Sequence, residues 1–114
     1  MHKFMVLYQA PLSATQKLEA STSAQMKNAL LEWGAWKEKT ERAGASFEFG
    51  MPLDAKLHLE ANGTTSESKL KLSGYGVIEA ESLEVAVELL KDHPHLKAQG
   101  ASLELLAFVP MPGL

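Results

Sequence analysis

Four histidines, two tyrosines and two tryptophans carry most of the chemistry this sequence can offer. An imidazole exchanges protons near neutral pH, which makes His95, directly after Pro94, the leading candidate for an acid–base group. The same position also suits a helix end, where the macrodipole favours a cation, or a packed loop. His93 stands two residues earlier. A His-x-His pair can chelate a metal, but no third ligand is evident, so no metal is expected. Tyr75, between Gly74 and Gly76, either presents its hydroxyl to a pocket or sits in the core with that hydroxyl satisfied. Trp33 and Trp36, at helical spacing, either line a cavity for an aromatic ligand or pack the core. His58 faces Glu67 if the intervening turn is short, giving either a dyad or an ordinary cross-strand pair. His2 opens the first strand, where a solvated strand end is the ordinary role. Glu79 and Glu104 interrupt apolar strands, at an interface, in a pocket or at solvated ends. No cysteine is present, so thiolate nucleophiles, disulfides and Cys-based zinc sites are excluded. The sequence holds no Walker loop, Rossmann glycine pattern, nucleophile elbow or zincin motif, and no cofactor is expected.

The elements that must position these groups follow from periodicity. Residues 2–8 read as a strand with Phe4, Val6 and Tyr8 on one face and Met5 and Leu7 on the other. Residues 13–23, rich in Ser, Thr and Ala, read as a loop or a frayed turn. From Ser23, a candidate N-cap, a helix is expected with the stripe Met26, Leu30, Trp33, Trp36, Thr40 and Ala43, closed by Gly44 at C′. A short strand spans 46–50. Residues 55–61 alternate up to Asn62-Gly63, the signature of a type I′ hairpin that sets Ala61 opposite Thr64 and His58 opposite Glu67. A long strand spans 69–80. Ser82 caps a second helix with the stripe Leu83, Ala86, Val87 and Leu90, stopped by Pro94. Ser102–Val109 forms the last strand, and the Pro-rich tail 110–114 cannot continue a central strand. The order is β-α-β-(hairpin)-β-α-β. It predicts an α+β fold: a ferredoxin-like β-α-β-β-α-β antiparallel sheet with an extra β-hairpin and both helices on one face.

The chain has 114 residues, one domain's worth (1–114), with 46% apolar and 22% charged types. A formal charge of −3 argues against phosphate-neutralising nucleic-acid binding, and no aromatic RNA-binding pattern is present. No apolar run reaches the roughly 18 residues of a membrane span, and the N-terminal run 4–7 is too short for a secretory signal. A cytoplasmic protein is expected. Two helices cover only one sheet face, yet the strands carry large apolar side chains on both. Leaving Met5, Leu7, Ile78, Leu106 and Phe108 in water forgoes roughly 1.5–3 kcal/mol each. The expected remedy is a homodimer packed through its sheet faces.

The second half adds a resemblance. Residues 74–84 (Gly74-Tyr75-Gly76-Val77-Ile78 through Glu84), His93-Pro94-His95-Leu96, Gly100–Leu105 and Phe108–Gly113 resemble the YCII-related (DGPF-type) family of the dimeric α/β-barrel superfamily. Trp33-Gly34-Ala35-Trp36 and the opening Lys3–Tyr8 fit the same pattern. The resemblance implies a dimeric α/β barrel and singles out His95 at the family's Pro-His position. It also shows a departure. The family's Asp-Gly-Pro-Phe signature falls here on Asn62, Gly63, Thr64 and Thr65. An amide keeps a turn but carries no charge and cannot serve as a general base near pH 7.

Two functions are therefore expected, in order. One is a homodimeric YCII-like module binding a small molecule near His95 without catalysis, with Trp33, Trp36 and His93 as candidate ligand contacts. The alternative is a cofactor-independent isomerase, lyase or dehydrochlorinase-like enzyme that moves a proton with His95 while Tyr75 orients the substrate.

Overall fold

Strand β1 (His2–Gln9) is the structural centre, because both of its edges are hydrogen-bonded. The computed structural model of the chain describes residues 1–113; Leu114, the end of the tail considered above, lies outside the described residues. After β1 come α1 (Ala14–Ala20), α2 (Ser23–Arg42), β2 (Ser46–Pro52), β3 (Leu57–Leu59), β4 (Thr65–Glu67), β5 (Leu72–Ala80), α3 (Leu83–Leu90), a 3₁₀ turn (Pro94–Lys97) and β6 (Ser102–Ala107). The fold is α+β. Strands β2-β5-β1-β6 form a four-stranded antiparallel sheet, and β3-β4 form a separate two-stranded one.

The core lies on one face of the larger sheet. Phe4, Val6 and Tyr8 of β1, Phe47 of β2 and Ile78 and Ala80 of β5 are buried beneath Trp36 of α2 and Ala86 and Leu90 of α3. Leu103 and Leu105 of β6 pack against them. Each fully buried large side chain stabilises the fold by roughly 1.5–3 kcal/mol. Gly76 faces this core, and a Cβ there would overlap the Phe47 ring. Ile78 pairs with Phe4 and is fully buried on the helix side, not on the uncovered face. Its neighbour Val77 takes the uncovered position, because adjacent strand residues point to opposite faces. Met5, Leu7, Tyr75 and Val77 are half-buried there and Leu106 is exposed.

Besides β2 running on to Pro52 and β5 starting only at Leu72, local structure differs from the sequence expectation in four places. Residues 14–20 form helix α1, and its capping box uses Ser13 and Gln16; Thr22 and Gln25 repeat the device at α2. Both are S/T-x-x-Q signatures, in which each side chain satisfies the other residue's backbone N–H. The N-cap of α2 is thus Thr22, one residue before Ser23. Thr15 of α1 is held by the carboxylate of Asp54 through its N–H and hydroxyl.

The second difference is the hairpin. Gly63 has φ 91°, but no other kind of residue has positive φ among the described residues, so Asn62-Gly63 is not a type I′ turn. The loop is three residues long: the Glu60 N–H donates to Thr64 O at 2.8 Å and the Gly63 N–H donates to Glu60 O at 2.9 Å. Asn62 Oδ1 accepts from both the N–H and the hydroxyl of Thr64. The extra loop residue shifts the register by one, so His58 pairs with Ser66 and Leu57 with Glu67. A one-residue slip exchanges the faces of a strand.

Third, the apolar stripes are narrower than expected. In α2 only Trp36 and Thr40 are buried, with Met26 and Trp33 half-buried and Leu30 and Ala43 exposed. In α3 the core face is Ala86, Leu89 and Leu90, while Leu83 and Val87 are exposed. Fourth, β6 ends at Ala107, short of Val109.

Thr40 is almost fully buried, and its Oγ1 has no hydrogen-bond partner among the described residues. An unpartnered buried hydroxyl costs about 1–3 kcal/mol. Replacing it with the similarly shaped valine, Thr40→Val, is expected to raise stability by about 1 kcal/mol. Urea unfolding at fixed protein concentration measures this; a loss of stability would show that the hydroxyl is satisfied in solution.

Candidate functional site

The segment after α3 cannot continue as a helix, because Pro94 has no N–H to donate to it. It forms a 3₁₀ turn with Pro94 at its start, a position where the missing donor costs nothing. The cap is a histidine: His93 Nδ1 accepts from the backbone N–H of His95 at 3.0 Å. That one bond fixes the tautomer. A neutral ring accepting at Nδ1 carries its hydrogen on Nε2. Nε2 therefore donates to the Tyr8 hydroxyl oxygen, 2.9 Å away. The ring of His95 turns the other way, and its Nε2–H donates to the carbonyl of Gln9 at 2.9 Å. Neighbouring residues of one turn thus grip neighbouring residues of β1.

Both rings are inside the protein, with His93 1% and His95 3% exposed. His93 sits at the centre of an aromatic cluster. Its centroid lies 4.4 Å from Trp36, 4.6 Å from Trp33 and 5.1 Å from Tyr8. Tyr8 also lies 5.0 Å from His95. Trp36 is fixed by its own indole N–H, which donates to the carbonyl of Leu89 at 2.9 Å. Trp33 continues the cluster outward to Phe49, 5.8 Å away.

Burial dominates the electrostatics. It pushes the His93 pKa down to about 3, with the neighbouring His95 adding to the effect. Burial also lowers the His95 pKa; the Gln9 carbonyl opposes this, Lys17 reinforces it, and the backbone of Ser102 opposes it again. Burial pushes the Tyr8 pKa upward. All three groups are held neutral at pH 7.

The structure joins His93, His95, Trp33 and Trp36 in one cluster, and it adds Tyr8, which the sequence reading assigned only to a strand face. The available signal was its alternation with Phe4 and Val6: a tyrosine on a core face needs a partner for its hydroxyl. Tyr75 is not part of the cluster. It alternates with the buried Gly74 and Gly76 and therefore points to the opposite sheet face. There its ring lies over Gly50, where a Cβ would overlap it. The sheet separates Tyr75 from His95, so the two do not act on one substrate within a chain. His58 is exposed and bonds Glu60 at 2.9 Å rather than Glu67. His2 is exposed at the strand end. Glu79 lies 4.0 Å from Lys3, and Glu104 is exposed on β6 opposite Leu7.

Both nitrogens of His93 are occupied by protein partners, and its ring centroid is 6.5 Å from that of His95, with the planes at 82°. Such a pair does not converge on one ion. Among the described residues no group of three or more His, Cys, Asp or Glu side chains is arranged to hold a metal. A groove of about 280 Å³ lies on the outer side of Trp36 and Pro94. Its walls are the ion pairs Lys39–Asp92 (3.0 Å) and Lys97–Glu32 (2.9 Å), which tie α2 to the segment after α3.

No family model matches the chain, and no curated protein sequence matches it.

The buried histidines tie stability to pH. The unfolded His93 titrates near 6.5 and the folded one near 3, so between these values the unfolded chain binds more protons. This stabilisation is complete above pH 6.5 and is lost as pH falls toward 3. One such group contributes a slope of at most about 1.4 kcal/mol per pH unit. Glutamine can accept from the His95 N–H and donate to Tyr8, so His93→Gln is expected to remain folded with a shallower slope. Urea unfolding from pH 7.5 to 4.5, at fixed protein concentration, compares the two. Equal slopes would show that His93 does not titrate on unfolding.

Proposed function

We propose that the chain is one protomer of a ferredoxin-like homodimer of the YCII-related type, which binds a small molecule without acid–base catalysis at His95. The observation that carries the non-catalytic reading is that both imidazoles are buried and bonded within the chain. A general base needs a free lone pair within hydrogen-bond reach of substrate. His93 uses both nitrogens internally; His95 donates its Nε2 hydrogen to Gln9, and burial rather than a bond withholds its Nδ1 lone pair from a substrate. Asn62 in place of the family's aspartate supports the same reading. The groove over Trp36 and Pro94, of about 280 Å³ and walled by charged pairs, is the proposed ligand site adjoining the histidine turn.

The ferredoxin-like reading is supported by the order β2-β5-β1-β6, in which the two later strands flank β1. Dimerisation is supported by the amount of surface. The chain exposes 8198 Å². A monomer of 12.4 kDa is expected to expose about 6,100 Å². The radius of gyration is 15.9 Å against about 13 Å for a compact chain of this length. The excess, roughly 2,000 Å² per chain, is of the size an obligate interface buries. The uncovered sheet face supplies an apolar centre for it in Met5, Leu7, Tyr75, Val77 and Leu106.

Light scattering on a sizing column is expected to give twice the 12.4 kDa of one chain at micromolar concentration. Val77→Lys, at the centre of the uncovered face, is expected to give single chains with unchanged far-UV circular dichroism. Native mass spectrometry of the purified dimer is expected to find a bound small molecule, retained in His95→Gln. A parent protein that stays monomeric overturns the assembly. A turnover that vanishes in His95→Gln while binding persists overturns the non-catalytic reading.

A further inference from the structure

The β3–β4 hairpin has nothing beneath it. Every residue from Leu57 to Glu67 is exposed. A two-stranded hairpin on its own is at best marginally stable in water. This one is nevertheless fully formed, with paired strands, a bonded three-residue loop and Asn62 locking Thr64. Its register puts Leu57, Leu59, Thr65 and Glu67 on one side, and both leucines are 67% exposed. At its base stand Lys56, Lys69 and Lys71, exposed and in no ion pair within 4.0 Å among the described residues.

The uncovered sheet face has the complementary chemistry. It is apolar at its centre, and Glu48 and Glu104 lie on it, exposed and without an ion pair among the described residues. The position of the hairpin selects between these acids. It leaves the sheet after Pro52 and returns at Leu72, at the same end of the sheet as Glu104, which pairs with Leu7. The edge strands are β2 and β6. When two such sheets stack about a two-fold axis parallel to their strands, β6 of each copy crosses β2 of the other and the hairpin ends stay together. Each hairpin then stands beside Glu104 and Leu106 of the other copy.

We infer that the hairpin is a clasp for a second copy of this chain: Leu57 and Leu59 pack at the β6 side of the second copy's sheet face, and the base lysines meet its Glu104. The inference rests on the sheet pairing proposed above and adds the segment that secures it. It accounts for two features at once: a formed hairpin that lacks support in its own chain, and surface in excess of a compact monomer's.

The absence of cysteine in this sequence gives a clean test. Chains carrying Leu59→Cys are mixed with chains carrying Glu104→Cys and oxidised gently. A disulfide-linked dimer is expected that neither variant forms alone. Separately, Leu57→Ser with Leu59→Ser is expected to raise the dimer dissociation constant by at least about tenfold in sedimentation equilibrium. Both leucines are exposed in the single chain, so its circular dichroism is expected to stay unchanged. A dissociation constant equal to the parent's, or no cross-link above the single-variant background, overturns the clasp and leaves the sheet pairing standing. A parent that sediments as single chains overturns both.

Discussion

Strand β1 sends Phe4, Val6 and Tyr8 to one side and Met5 and Leu7 to the other, while both its edges are hydrogen-bonded to neighbours. A strand so placed cannot turn either face to solvent without exposing apolar side chains. On one side α2 and α3 resolve the problem, and the buried core forms there. On the other side nothing among the described residues does. Neither the hairpin nor α1 folds over that face; the hairpin is exposed throughout and α1 buries no residue. The flatness of the chain, 47 × 47 × 21 Å, follows from this one-sided covering.

The histidine turn belongs to the covered side and explains why polar residues occur in a core this small. The chain must come back from α3 to β6 across the end of the sheet, and an irregular turn there leaves backbone groups that need partners. His93 caps the turn with one nitrogen and reaches Tyr8 with the other, and His95 satisfies the carbonyl of Gln9. Every one of these bonds crosses between the turn and β1 or closes the turn itself. The arrangement is a joint. Neutral rings with fixed tautomers hold position well.

Much of the α+β fold is legible in the sequence because it is carried by period. The alternation of Phe4, Val6 and Tyr8, the helical recurrence of Trp33, Trp36 and Thr40, and the punctuation by Gly44 and Pro94 all correspond to observed elements. What was misread turns on single residues that periodicity does not weigh. Two S/T-x-x-Q pairs make a helix of the Ser/Thr-rich stretch, through reciprocal hydrogen bonds rather than an apolar stripe. One extra loop residue moves His58 away from Glu67. The face of Ile78 depended on which parity of β5 meets the core, and the contact of Gly76 with Phe47 sets that parity. Residue types single out the histidines and tryptophans that the fold brings together. Their role depends on which nitrogen faces which partner, and only the folded backbone determines that.

Asn62 connects these threads. Read as the counterpart of a family aspartate, it is a loss of charge. Read in its hairpin, it is a turn residue whose side-chain oxygen accepts two hydrogen bonds from Thr64. An aspartate could make the same two bonds, so the turn needs the side-chain oxygen and not its charge. A position under that constraint serves the geometry of the hairpin more than proton transfer. The histidine turn stands at the same end of the sheet, and there buried imidazoles act as struts. At both places a polar side chain holds backbone geometry. Polar side chains in this chain thus fix turns, and the turns fix where the strands begin and end.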